Sequence, residues 1–249
     1  MLINTFLHVP TIGEVKERRL WREGITDWHK ALQKAVRDKL PSWVGPHFVS
    51  EIENSMDKLT EKNYRYFRGC LSHREYWRTF PEFQQSTVYL DIETTGLDRF
   101  SHDITVVGLY DGNSVKTFVK GQNMKELPGE LKQYSSIVTF NGIMFDLPFI
   151  SAKFRGLKID QIQLDLRFIL KRLGYSGGLK AIEKKLGITR AEETVGLSGY
   201  DAIRLWRQYE RGVPEALDIL IKYNTEDIVN LEYLMRFAYD ELKRRTLEG

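Results

Sequence analysis

The sequence predicts a mixed α/β sheet domain over residues 86–249, preceded by a mainly helical extension over residues 1–85. Three observations predict it. Val88, Leu90 and Ile92 alternate with Tyr89, Asp91 and Glu93, the period of a strand whose two faces meet different surroundings. A second β-run at 104–110 meets Asp111-Gly112, a strong hairpin signal, and returns over 114–119. The rest alternates helical and strand patterns and finishes in one long helical stretch, about 214–245.

In the extension, a turn at 10–13 precedes a charged amphipathic stretch with Val15, Leu20 and Trp21, which stops at 24–27. Thr26 or Asp27 can cap a second helix with Trp28, Leu32 and Val36. The run resembles one helix-hairpin-helix unit, except that Thr11 stands where the hairpin's first glycine belongs. A helical pair packed on the main domain is the preferred reading. Residues 58–80 interleave Lys58, Lys62, Arg65, Arg68, Arg74 and Arg78 with Tyr64, Tyr66, Phe67, Tyr76, Trp77 and Phe80. Cations for phosphates and rings for stacking suit a single-stranded nucleic-acid track, with Arg65 and Arg68 as candidate contacts. An amphipathic helix with core rings and solvated charges fits the same spacing. Residues 81–85 read as a linker.

Composition narrows the classes. A 42% hydrophobic fraction suffices for a globular core. The single cysteine, Cys70, excludes an internal disulfide and a multi-cysteine zinc site. Residues 1–86 carry 14 Lys+Arg against 11 Asp+Glu, so the whole net charge of +3 lies there and the remainder is neutral. No apolar run approaches the ~18 residues of a membrane span and no signal-type leader opens the chain, so a soluble cytoplasmic protein is expected. Trp21, Trp28, Trp43 and Trp77 offer aromatics for an interface, either self-association or docking in a larger assembly.

The acids carry the chemistry. Asp91 and Glu93 are two apart on one strand, so their carboxylates share a face and repel unless a cation or shared proton relieves them. Thr94-Thr95-Gly96 breaks that strand. A helix at 124–134 and a buried strand at 136–140 follow, ended by Asn141-Gly142. Asp146 then takes an N-cap position, with Pro148 in the first helical turn. Asp165 sits in a short strand at 162–166, and Lys180 on a helix at 179–186 behind Gly177-Gly178. Asp201 lies on a helix running toward Tyr209. Asp227 follows Tyr223 by one turn of the last helix, so the two share a face. No cluster of Cys or His competes, and an all-oxygen site suits Mg²⁺ or Mn²⁺ rather than zinc.

Asp91-Ile-Glu93, Asn141-Gly-Ile-Met-Phe-Asp146 and Tyr223-Asn-Thr-Glu-Asp227 resemble, in order, the three motifs of the DEDD 3′–5′ exonucleases, in the tyrosine-bearing form. The wider wording, including Asp-Ile-Glu-Thr-Thr-Gly-Leu and Gly-Gly-Leu-Lys, resembles the YprB-type ribonuclease-H-like domain over roughly residues 86–240. The resemblance implies a ribonuclease-H-like fold, here a mixed five-stranded sheet flanked by helices. It implies that Asp91, Glu93, Asp146 and Asp227 hold two divalent ions, Mg²⁺ or Mn²⁺, for in-line displacement at phosphorus, and that Tyr223 orients the attacking water. It also implies that the Thr94-Thr95 backbone grips the terminal nucleotide, that Leu97 wedges against its base, and that Asn141 touches sugar or phosphate. Lys180 is a candidate phosphate neutraliser and Asp165 an outer acid. The expected activity is a 3′–5′ exonuclease on single-stranded ends, DNA first, releasing nucleoside 5′-monophosphates. An exoribonuclease is the runner-up. A catalytically idle nucleic-acid-binding module is the rival from another class, against which stands the presence of all four acids and the tyrosine.

Overall fold

The structure, a computed structural model, describes residues 1–37 and 40–248, and its contacts divide the chain into two compact units, Met1–Gln84 and Gln85–Gly249. The first holds α1 (Glu14–Arg22), α2 (Trp28–Arg37), α3 (Phe48–Thr60), α4 (Tyr64–Cys70) and the short α5 (Phe80–Phe83). Asp27 accepts from the Lys30 N–H at 2.9 Å and so supplies the cap for α2. Thr11 takes a left-handed φ of 72°. That is a conformation glycine adopts at lower cost.

Residues 58–80 do not form one helix. They run from the end of α3 through α4 into a 3-10 segment, His73–Thr79. Phe67, Tyr76, Trp77 and Phe80 are core residues. Arg78 is buried as well, its Nε 2.6 Å from Glu75 Oε2 and its Nη2 3.2 Å from Glu17 Oε2. Glu17 also accepts from Thr5 Oγ1 at 2.6 Å and the Phe6 N–H at 2.8 Å. A buried guanidinium needs such acids to offset its lost hydration. Four of the six rings of the expected stacking track are therefore core, and Arg78 is a structural cation. Arg65 is exposed, its guanidinium 4.7 Å above the Tyr64 ring, and Arg68 is half-buried. The expected linker is helical: Pro81 sits in the first turn of α5, and Gln84–Ser86 is a 3-10 turn. The tryptophans are corrected too. Trp28 and Trp77 are buried, Trp21 and Trp43 half-buried, and the Trp28 and Trp21 indoles donate to the Thr5 and Asn4 carbonyls at 2.7 and 2.9 Å.

The second unit is built on β1 (Thr87–Thr94), β2 (Ile104–Tyr110) and β3 (Val115–Val119), then α6 (Leu127–Leu131), β4 (Ser136–Thr139), α7 (Asp146–Lys153) and β5 (Ile162–Asp165). It closes with α8 (Leu166–Arg172), α9 (Leu179–Lys185), α10 (Gly199–Glu210) and α11 (Glu215–Glu248). The sheet order is β3-β2-β1-β4-β5. β1, β2 and β3 are antiparallel neighbours, whereas β4 and β5 join parallel to β1. At the hairpin, Asp111 Oδ1 accepts from the Asn113 and Ser114 N–H groups at 2.9 and 2.8 Å, and Gly112 takes φ 93°. The helix expected at 124–134 is a 3-10 turn leading into the short α6, which contains Pro128 and Gly129.

Both faces of the sheet are covered. Val88, Leu90 and Ile92 of β1 pack with Leu127 and Leu131 of α6 and Leu147, Phe149 and Ile150 of α7. On the opposite face Val106 and Val119 pack with Ala202 and Trp206 of α10 and Leu217, Leu220 and Tyr223 of α11. Each large apolar side chain so buried contributes roughly 1.5–3 kcal/mol. The acids of β1 point toward this second layer, so the acidic face is roofed rather than solvated.

Candidate active site

Gly108 lets the roof come close. A Cβ there would lie 2.0 Å from Asn224 Oδ1, so only glycine lets α11 seat Asn224 against the sheet. Asn224 Nδ2 then donates to Asp91 Oδ2 at 2.9 Å and to the Asp91 carbonyl at 3.3 Å. Asp227, three residues further on, comes down beside β1. Carboxylate oxygens of Asp91, Glu93 and Asp227 all lie within 4.8 Å of one another.

Asp146 joins from the neighbouring strand end. It is not the N-cap of α7: Phe145 holds that place, and Asp146 is the first helical residue. Its Oδ1 accepts from the Ile92 N–H at 3.1 Å, across to β1. All four acids line one cavity of about 420 Å³, together with Thr94, Leu97, Asn141, Tyr200 and Tyr223.

The electrostatics of the cluster fit a cation site. Burial pushes Asp91 and Glu93 well above the usual carboxylate range; Asp227 and Asp146 add to both, Glu93 adds to Asp91, and Lys180 pulls both the other way. Burial lifts Asp146 to about 7 against the pull of backbone N–H donors. Asp227 is also raised by burial, with Lys180 and Arg190 pulling the other way. Oxygen donors alone, gathered this tightly and this reluctant to ionise together, fit a hard divalent cation such as Mg²⁺.

Tyr223 is buried, and its hydroxyl accepts a hydrogen bond from Lys180 Nζ, which also sits 4.1 Å over the ring. Burial and the nearby acids Asp227, Glu93 and Asp91 drive its phenol far above its usual range, so it stays protonated at neutral pH. The expected phosphate lysine is thus held on the tyrosine.

Other expected contacts separate. Leu97 is 81% exposed at the cavity wall. Thr94 lines the cavity, but its hydroxyl donates to the Gly96 carbonyl at 2.7 Å. The Thr95 N–H donates to the Asp103 carbonyl at 2.9 Å, so the expected grip of that amide on a nucleotide is replaced by a loop closure. Asn141, with a left-handed φ of 66°, lines the cavity while its Oδ1 accepts from Arg167 Nη1 at 2.6 Å. Asp165 accepts from the N–H groups of Asn141, Ile143 and Arg167 at 2.8, 3.1 and 3.0 Å. It ties the loop after β4 to the start of α8, and ends β5 one residue earlier than expected. Arg65 and Arg68 belong to the first unit.

Three residues escaped the sequence reading. Asn224 had a signal, lying one turn before Asp227 beside Tyr223. Tyr200, 73% exposed at the cavity, lies within the capping box formed by Ser198 and Asp201, a pattern that could have placed it at a helix start. Arg190, which contacts Asp227, lies in a loop with no motif or periodicity to announce it.

A five-stranded mixed sheet with an acidic cluster on its central strand and a long helix above it makes a ribonuclease-H-like α/β fold. The chain belongs to the RNase H superfamily, whose family model matches residues 88–239. No curated protein matches it. Among solved structures it is similar to the family B DNA polymerase from the hyperthermophilic archaeon Pyrobaculum calidifontis, at 16% identity and TM-score 0.48. That match covers 62% of this chain and 24% of the polymerase, so the chain spans about a quarter of that protein. It is also similar to Brucella melitensis NrnC bound to pGG, at 19% identity and TM-score 0.45, over 67% of this chain and 78% of that one. A structure described as the apo form of a nuclease matches at 19% identity and TM-score 0.46, over 70% and 79% of the two chains.

Proposed function

We propose that this protein is a divalent-metal-dependent 3′–5′ exonuclease that shortens single-stranded nucleic acid, DNA first, to nucleoside 5′-monophosphates. The observation that carries the reading is the meeting of Asp91, Glu93 and Asp227 within 4.8 Å, with Asp146 and Tyr223 lining the same cavity. Asp91, Glu93, Asp146 and Asp227 would hold the ions, Mg²⁺ or Mn²⁺, two in number. Bound there, divalent ions supply Lewis-acid polarisation of the phosphate and make water a nucleophile near neutral pH.

The chain's own groups do the rest. Tyr223, kept protonated and steadied by Lys180, orients the attacking water and does not abstract its proton. Asn224 fixes Asp91, and the Ile92 N–H fixes Asp146, so two ligand carboxylates are held before any substrate arrives. Leu97 and Tyr200 offer exposed apolar and aromatic surface to a terminal base. At about 420 Å³ the cavity lies at the small-ligand end of the usual range, roughly 300–1,000 Å³, which suits one unpaired terminal nucleotide better than a duplex end.

The test uses single-stranded DNA and matched RNA with either the 3′ or the 5′ end blocked, with products separated by chromatography. The reading expects 5′-monophosphates, released only from chains with a free 3′ end, and more readily from DNA. Faster release from RNA would make the protein an exoribonuclease. Internal fragments, or release from a 3′-blocked chain, would overturn the proposed direction.

A further inference from the structure

Asp227 has a cation beside it already. Arg190, in the loop after α9, has a side chain only 6% exposed and donates from Nη2 to Asp227 Oδ1. Glu183 of α9 grips the same guanidinium: Nε donates to Oε2 at 2.8 Å and Nη2 to Oε1 at 2.6 Å. Glu183 is itself buried and accepts from Asn230 Nδ2 at 3.0 Å. Among the described residues Nη1 has no hydrogen-bond partner, and Glu226 Oε2 stands 3.8 Å from it. Arg190 and Glu183 therefore form a buried pair of opposite charge, with the guanidinium's remaining side turned to a carboxylate of the acidic cluster.

Such a pair is not passive. A guanidinium cannot shed its proton, so its charge stays beside Asp227 at every working pH. It relieves the repulsion that Asp91 and Glu93 impose when no ion is bound, and it repels any cation that approaches the same carboxylate. Glu183 sets how much of that positive charge Asp227 and an incoming ion experience.

We propose that Arg190 is a resident counter-ion for Asp227, tuned by Glu183, and that the pair sets how tightly the site takes a divalent ion. The proposal rests on the metal-dependent reading of the site and adds to it a positioning residue outside the three motifs. Its two halves act with opposite sign. Arg190→Gln keeps a donor near Asp227 but removes the charge, so divalent ions bind more tightly while the metal-free protein loses stability. Glu183→Gln keeps the shape but leaves Arg190 unbalanced, so divalent ions bind more weakly. A unit charge at this range changes affinity by about ten-fold or more. Mere damage to the loop would weaken binding in both variants.

The experiment is calorimetric titration of Mg²⁺, and separately Mn²⁺, into the metal-free full chain for wild type, Arg190→Gln and Glu183→Gln, with circular dichroism to establish folding. Expected are about ten-fold tighter binding in Arg190→Gln, about ten-fold weaker binding in Glu183→Gln, and a lower melting temperature for metal-free Arg190→Gln. A folded Arg190→Gln that binds no tighter than wild type overturns the proposal, as does a Glu183→Gln that binds as tightly as wild type or more so. If Arg190→Gln does not fold, the double variant Glu183→Gln/Arg190→Gln decides: binding restored to about the wild-type level supports the proposal, and binding no tighter than in Glu183→Gln overturns it. Wild type that takes up no divalent ion removes the metal reading and this proposal together, whereas wild-type binding with both variants shifted the same way overturns the role of Arg190 only.

Discussion

The carboxyl of Asp146 shows what the site costs the fold. Its pKa rises from an ordinary value near 3.8 to about 7 on folding, because burial penalises the charge. Between those values the folded state binds more protons than the unfolded one, so the metal-free protein loses stability as pH rises from about 4 to about 7. Asp91, Glu93 and Asp227 shift in the same direction and add to the loss. Thermal melts of metal-free protein should therefore show a lower melting temperature at pH 8 than at pH 5.5, and Mg²⁺ should raise it more at pH 8. Asp146→Asn keeps an acceptor for the Ile92 N–H and removes the charge. At pH 8 it should stabilise the metal-free protein, on the order of a few kcal/mol, while cutting nuclease activity by more than about 100-fold. At pH 5.5, roughly midway between the two pKa values, about half of the stabilisation should remain, and it should vanish only below about pH 4. Equal melting temperatures for variant and wild type at pH 8 would show that the carboxyl is not strained by its setting.

At the scale of elements, the site depends on how closely α11 lies on the sheet. Gly108→Ala places a Cβ 2.0 Å from Asn224 Oδ1, and either Asn224 or the helix must give way. Overpacking of this kind costs about 1–3 kcal/mol, which in a chain of this size lowers the melting temperature by roughly 2–12 °C. Activity should fall with it, because Asn224 holds Asp91. Adding Asn224→Ala should recover stability but not activity, a split that differential scanning calorimetry and digestion rates together can read. Asp165 offers the second element-level test. Asp165→Ala leaves three N–H groups without their acceptor and uncaps α8, so a loss of about 2–4 kcal/mol by chemical denaturation is expected.

Over the whole molecule, what could be read in the sequence followed the range of the interaction. The strands were legible because their alternation is local: β1, β2 and the Asp111-Gly112 hairpin lie where period and turn chemistry put them. The meeting of Asp91, Glu93 and Asp227 could be foreseen only through the order of the three motifs, since nothing local says that a helix more than a hundred residues on roofs β1. Arg190 was invisible for the same reason, its partners lying on α9 and α11. The aromatic tract at 58–80 left two readings open because periodicity cannot separate a ring that stacks on a base from one that fills a core. Trp77 and Phe67 are core residues, and Arg78 is spent on Glu17 and Glu75. With Trp28 and Trp77 buried, the aromatic argument for self-association weakens, and the purified chain should elute as a monomer at high concentration on sizing; a dimer would point to a surface other than these rings.

The most direct measurement is a time course on 5′-labelled single-stranded DNA and matched RNA for wild type and Asp91→Asn, with Mg²⁺, with Mn²⁺ and with chelator. The account predicts a ladder that shortens one nucleotide at a time from the 3′ end, requires a divalent ion, and disappears in Asp91→Asn. Full-length polymer in every wild-type lane, or a ladder that survives chelator or Asp91→Asn, would contradict it.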